Sequence, residues 1–297
     1  MNATSPLFTG CAAALITPFR SDGSVDLCSL EKLIERQVEA LADALVLLGT
    51  TGEPCTLSMQ ERELVIKSGV KAVNGAMPII VGTGANNTTL ACEYAKQAEC
   101  LGAQGHLCVT PYYNKATQAG LARHFTQIAD SSALPLILYN VPSRTGISIS
   151  SETAAVLADH PKIAGIKEAS GSTTLAADIM RLTGSRLPVY CGNDDMILPL
   201  MAMGAKGAIS VCANVLPVQT KALTHACLCG ELGKARALQL ELLPLIHALF
   251  AQVNPIPVKA ALSMMNLCDD VLRLPLTPLE EPHRTRMHDL IHSMNLI

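Results

Sequence analysis

The sequence predicts a closed parallel (β/α)8 barrel with a C-terminal helical appendage, and three observations lead there. Short apolar, β-rich runs alternate with longer amphipathic stretches along the first two thirds of the 297 residues. Hydrophobic residues make up 49% of the chain and charged ones only 16%, a balance that suits strands buried on both faces, where every position is free to be apolar. Past about residue 216 the strand signals stop and helical patterns alone remain.

The strand candidates are 11–16, 44–48, 78–82, 105–109, 135–139, 163–167, 188–191 and 207–211. Helical periodicity lies between them over 27–41, 58–73, 88–101 and 118–131, the later stretches opening on Ser or Thr suited to cap a helix. Eight strands, each followed by a crossover, close most economically on themselves as a TIM barrel. An open doubly wound sheet would normally carry a glycine-rich turn after its first strand; here that strand runs into Thr17-Pro18-Phe19. The remaining helical patterns cover 217–229, 232–250, 257–267 and 278–294. The chain is accordingly divided into a barrel, 1–222, with its site at the C-terminal ends of the strands, and a helical region, 223–297, closing on the barrel or on a neighbouring subunit. No repeat beyond the strand–helix unit and no low-complexity linker interrupts it.

Several function classes fall away. No uncharged apolar run reaches the roughly 18 residues a bilayer span needs, and the apolar segment 6–19 has no cations before it, so it reads as a strand and not as a secretory signal. A cytoplasmic enzyme is expected. A formal charge of −3 and the lack of Trp, with no Lys/Arg run, argue against nucleic-acid or anionic-membrane partners. The 11 cysteines sit singly and are expected to be reduced, buried small hydrophobes. The nearest approach to a metal cluster, His225-Ala-Cys227-Leu-Cys229, spans little more than one helical turn without converging, so no metal is expected.

The chemistry concentrates where the βα loops begin, the usual place for catalytic groups in such a barrel. Lys167 ends strand six, and its side chain should enter the barrel mouth, where partial loss of water favours a neutral amine able to attack a carbonyl. The plainer reading is a lysine that pairs with Glu168 or Glu53. Its neighbours tip the balance. Thr50-Thr51 after strand two offers hydroxyls and turn amides to a small carboxylate, although a glycine-flanked Thr pair also makes an ordinary turn. Tyr139 ends strand five, beside Lys167 in order, with a phenol fit to exchange a proton near an imine carbon; as a bare aromatic it would fill the barrel. Arg144, in a Pro/Gly-punctuated loop, offers a bidentate fork for a carboxylate, where a surface arginine would be ordinary. Gly192 follows strand seven and joins the substrate-binding set.

With these segments in place, the chain resembles the dihydrodipicolinate synthase family of pyruvate-dependent class I aldolases nearly end to end, from Phe8-Thr-Gly through Asn254-Pro-Ile-Pro-Val-Lys259 to Arg273-Leu-Pro-Leu276. Gly49-Thr-Thr-Gly-Glu53 and Gly165-Ile-Lys-Glu168 mark the superfamily; Val109-Thr-Pro-Tyr-Tyr-Asn114 and Tyr139-Asn-Val-Pro-Ser-Arg-Thr-Gly146 are more specific to the synthases. The resemblance implies that Lys167 forms an imine with pyruvate, without any other cofactor, and that the derived enamine attacks aspartate semialdehyde. It implies a proton relay of Tyr139, Thr50 and Tyr113, with Tyr113 supplied by a neighbouring subunit, hence a homo-oligomer, usually a pair of dimers. Thr51 and the Ile209 backbone match positions that hold pyruvate, and Arg144 the one that receives the semialdehyde carboxylate. Feedback-inhibited members bind lysine in a dimer cleft; here Met59, Arg62 and Leu90 depart from its polar and acidic lining. The carboxylate expected where Leu90 stands is missing, and Arg62 adds a like charge, so weak or absent inhibition by lysine is expected.

N-acetylneuraminate lyase and keto-deoxy sugar-acid aldolases share the lysine and the Gly-x-Thr-Gly-Glu loop, but Ser143-Arg144-Thr145 favours a carboxylate-bearing aldehyde over a polyol. A barrel that binds without turnover would be expected to have lost at least one of these residues. A metal-dependent aldolase would need clustered ligands that the histidines do not supply.

Overall fold

The computed structural model of the chain describes residues 6–297, so the first five residues of the expected barrel segment lie outside it. The strands are β1 (Gly10–Ala14), β2 (Ala44–Leu47), β3 (Ile79–Gly82), β4 (Gly105–Val109), β5 (Leu136–Asn140), β6 (Ile163–Glu168), β7 (Val189–Cys191) and β8 (Gly207–Ser210). They pair in parallel and in sequence order, and β8 returns to β1 to close the barrel. Three expected strands open on a proline, and each begins one residue later. Proline has no N–H for the ladder, yet the carbonyls of Pro78, Pro135 and Pro188 still accept from Leu45, His106 and Ile166 at 2.9–3.0 Å.

The two-residue period of the strands divides the core into two layers. Cys11, Ala13, Leu45 and Leu47 face the helices. Ala12, Ala14, Val46, Ile80, Ile137 and Ile209 fill the barrel itself. Phe8, just before β1, stacks on Tyr190 with ring centres 4.4 Å apart, and the Tyr190 hydroxyl donates to the Phe8 carbonyl at 3.0 Å. This closes the floor, and any opening must lie at the other end.

Around the barrel run α1 (Leu27–Glu39), α2 (Met59–Val73), α3 (Thr88–Cys100), α4 (Gln118–Asp130), α5 (Ser151–Leu157), α6 (Thr173–Thr183), α7 (Ile197–Ala202) and α8 (Pro217–Leu228). Ser58 and Glu61 form a reciprocal capping box at α2, and Thr117 caps α4. At α3 the cap is Asn87; Thr88 instead bonds His124 Nδ1 at 2.9 Å. Helix α8 packs against β1 and β8 and completes the eighth unit. The division drawn at 222/223 therefore falls inside a barrel helix, because a final helix with no strand after it looks the same in sequence as an appended one.

Beyond it lie α9 (Leu232–Leu249), α10 (Ile256–Met264) and α11 (His283–Ser293). The last starts later than its periodicity suggested, after Pro282 at the cap position. Helix α9 packs on α8 and α11, and the connections at Val253–Pro255 and Pro275–Leu276 reach over the barrel mouth. Among the described residues no helix is long and apolar enough to cross a membrane. The cysteines are all free, but only Cys11, Cys92, Cys108, Cys191 and Cys212 are buried; Cys28, Cys55, Cys100 and Cys229 are exposed, at helix ends and a loop where no core covers them.

Candidate active site

Lys167 is the penultimate residue of β6, in register with Tyr139 on β5 and Tyr190 on β7. Ile166 before it faces the helices, so the alternation turns Lys167 inward. The side chain is 6% exposed, with Nζ 4.4 Å from the centre of the Tyr139 ring. Neither candidate carboxylate holds it: Glu53 pairs with Lys259 at 2.5 Å, and Glu168 accepts from Asn140 Nδ2 at 2.8 Å and from Ser170 N at 2.6 Å. The ion-pair reading of Lys167 fails on both.

The lysine opens into a cavity of about 380 Å³ at the C-terminal end of the barrel. Thr50, Thr51, Tyr139, Arg144 and Gly192 line it with Lys167, so the strand-end residues singled out in the sequence converge on one space. Gly192 is there for room. A Cβ on it would meet Ala169 Cβ at 2.7 Å and Lys167 Cε at 2.9 Å, so only glycine lets the lysine arm lie along β7. Thr51 Oγ1 accepts from Asn254 Nδ2 at 3.0 Å. Arg144 lies within the short helical turn Pro142–Thr145; Thr145 beside it is fixed by Thr110 at 2.9 Å. Its guanidinium is only tethered, to the Asn254 carbonyl at 3.0 Å, leaving donors for an anion. Ile209 is fully buried inside the barrel.

A second cavity of about 290 Å³ adjoins the first and shares Thr50, Tyr139, Arg144 and Asn254, but not the lysine. Its other walls are largely apolar, with Leu48, Val109, Val253, Pro275 and Leu276 among them. Lys167 belongs to the first cavity; the second is an annex beside its hydroxyl groups.

Tyr113 is not brought to this site within the chain. It is 91% exposed and held at φ 72, a left-handed conformation that a tyrosine adopts only under constraint. Arg62, expected in the lining of a cleft between subunits, is buried within the single chain. It is 1% exposed, its guanidinium 3.8 Å from the Tyr94 ring centre and donating to the Gly82 carbonyl at 2.7 Å. Burial lowers it to about 10, and it presents no charge to the surface.

Two carboxylates near the C-terminal ends of β6 and β7, Glu168 and Asp194, are taken up in holding neighbouring loops. Asp194 is buried and accepts from Val211 N at 2.9 Å and Cys212 N at 2.8 Å, which fixes the loop after β8. Burial raises both Asp194 and Glu168 above the usual carboxylate range, against the hydrogen bonds they receive. These are supports. Sequence reasoning missed what the C-terminal region contributes: Asn254, His247 and Phe250 also line the lysine cavity. Only Asn254 left a signal, at the head of the Asn254-Pro-Ile-Pro-Val-Lys259 run quoted from the sequence.

Residues 7–294 match the model of the Dihydrodipicolinate synthetase family. A 4-hydroxy-tetrahydrodipicolinate synthase of Alkaliphilus oremlandii is 48% identical over 291 residues, 98% of this chain and 100% of that protein. Among solved structures, dihydrodipicolinate synthase from Thermotoga maritima superposes with a TM-score of 0.96 at 42% identity, covering 98% of this chain and 100% of that one. The Acinetobacter baumannii synthase complexed with pyruvate gives 0.95 at 44%, covering 97% and 99%. A match over residues 7–294, carried on a closed eight-stranded parallel barrel, places the chain in the dihydrodipicolinate synthetase family.

Proposed function

We propose that the protein is a 4-hydroxy-tetrahydrodipicolinate synthase, condensing pyruvate with L-aspartate 4-semialdehyde on the way to diaminopimelate and lysine. The single observation that carries this is Lys167, in no ion pair among the described residues, lying against Tyr139 in a cavity that Arg144 also lines.

In this reading the Lys167 amine adds to the pyruvate ketone, and loss of water gives the imine. The pyruvate carboxylate sits by Thr51 and the Ile209 backbone, with Gly192 leaving the space. Loss of a methyl proton to the tyrosine–threonine relay gives an enamine, whose carbon attacks the aldehyde while the new alkoxide takes up a proton. The amine of the second substrate then adds to the imine carbon and displaces Lys167, so the enzyme amine is returned and the ring closes. Arg144 receives the second carboxylate, which is what separates this chemistry from that of a sugar-acid aldolase. Lys167 supplies the electron sink, and the scheme calls on no other cofactor.

Thr50 and Tyr139 border the apolar annex, whose volume suits a phenol ring, while Tyr113 stands out from the surface in a constrained loop. This supports an oligomer, a dimer or a pair of dimers, in which Tyr113 of one subunit completes the relay of another. Eleven free cysteines suit the reducing cytoplasm. Inhibition by lysine is expected to be weak or absent because Leu90 stands where a carboxylate would hold the ligand's ammonium; the buried Arg62 contributes less to this than its charge suggested.

The testing experiment is a steady-state assay with pyruvate and aspartate semialdehyde, repeated with a polyol aldehyde. Cyclised product from the semialdehyde, with Lys167→Ala inactive, is the expected result. Turnover of the polyol alone would overturn the reading.

A further inference from the structure

Lys259, on α10, is fully buried and holds Glu53 at 2.5 Å. Its ammonium also donates to the Val271 carbonyl at 2.9 Å and lies 4.0 Å from the centre of the Phe19 ring. Withdrawing two opposite charges from water is costly, and apolar side chains of similar volume often serve stability as well or better. What the pair holds explains it better than stability does.

Glu53 follows the Thr50–Gly52 turn in a left-handed conformation, φ 50 and ψ 45, which a residue with a Cβ keeps only where its surroundings impose it. Its second oxygen accepts from Arg273 N at 3.2 Å. Arg273 in turn donates to the carbonyl of Gly23 at 3.0 Å and to that of Thr56 at 2.6 Å. On the other side of the same turn, Asn254 donates to Thr51 while its carbonyl accepts from Arg144. The segment from 254 to 273 thus grips the Thr50–Thr51 turn from two sides. Neither Lys259 nor Glu53 lines the cavity that holds Lys167.

We propose that Lys259 and Glu53 are positioning residues, whose ion pair sets the turn that aims the Thr50 hydroxyl at the centre formed by Lys167 and Tyr139. This rests on the condensation reading above. The C-terminal helical region then does more than cover the barrel: it fixes part of the proton relay.

The test is the neutralised pair Glu53→Gln/Lys259→Met, which keeps the volume and leaves no charge unpartnered. Beside it stand Glu53→Asp, which shortens the arm but keeps the charge, and Ile179→Ala, which hollows the core under α6, far from the turn. Each is measured for pyruvate trapping by borohydride, for kcat and both KM values, and for melting temperature. The neutralised pair is expected to fold and to trap pyruvate on Lys167, yet to lose kcat on the order of a hundredfold through the misplaced hydroxyl. Ile179→Ala should lower the melting temperature without that loss. Folded protein with wild-type kcat from the neutralised pair overturns the proposal, and Glu53→Asp carries the same decision if the double variant does not fold. A wild type that traps no pyruvate removes the condensation reading and this proposal with it. A trapping wild type beside a fully active neutralised pair removes the positioning role alone.

Discussion

At the scale of single residues, the site depends on what is small as much as on what is reactive. Gly192 gives the Lys167 arm its channel, and a methyl group there would sit 2.9 Å from Lys167 Cε and 2.7 Å from Ala169 Cβ. Ala169 Cβ is fixed to the backbone, and Lys167 Cγ, 3.1 Å away, crowds the same methyl even if the lysine end swings aside. Gly192→Ala is expected to fold, since the strain is confined to one βα loop, but to form the pyruvate imine at least about tenfold more slowly. Trapping rates at fixed pyruvate, with circular dichroism as the check on folding, decide it; an unchanged rate contradicts the packing account. Residues of this kind were legible in the sequence because a strand end carries a positional meaning: Lys167, Tyr139 and Thr50 could be named from the strand order alone. Asn254 and His247 could not. They reach the cavity from the C-terminal region, and no periodicity shows which loop folds back over a barrel.

At the scale of elements, the strands were readable because burial on both faces leaves short, uniformly apolar runs. Their ends were less so, since a proline that opens a run contributes a carbonyl to the ladder but no N–H. Element packing also sets a pH dependence. His106, on β4, is fully buried and bonded through Nδ1 to Thr83 at 2.9 Å, and burial lowers it from 6.5 to about 4. His124, on α4, is lowered to about 4 by the same cause. Because the unfolded chain protonates these rings at higher pH than the folded one, stability is full above about 6.5, is lost as the pH falls towards 4, and changes no further below that. For His106 the full difference is on the order of 3 kcal/mol. Melting temperatures followed from pH 7 to pH 4 should fall, and His106→Gln should reduce the slope. An equal slope in the variant would show that the acid sensitivity comes from elsewhere.

At the scale of the whole molecule, one chain supplies only part of the proposed relay: Lys167, Tyr139 and Thr50 line one cavity at the barrel mouth, whereas Tyr113 is 91% exposed outside it. If Tyr113 acts in a neighbouring site, Tyr113→Phe and Lys167→Ala are each nearly inactive alone, but dissociated, mixed and reassembled they regain activity. The site that keeps its lysine then receives a tyrosine from the other subunit. Mixtures no more active than their parts would put Tyr113 outside the relay. The barrel as a whole was evident from the order of elements, while its boundary was not, because α8 belongs to the barrel through its contacts with β1 and β8 and carries no mark of this in its sequence.

All three scales meet in the claim that Lys167 is the amine that captures pyruvate. The direct measurement is borohydride reduction of the purified protein with pyruvate, read by intact and peptide mass spectrometry. The account expects one pyruvate-derived adduct per chain, located on the peptide that carries Lys167 and absent from Lys167→Ala. Folded protein that acquires no adduct, or one on another lysine, would contradict it.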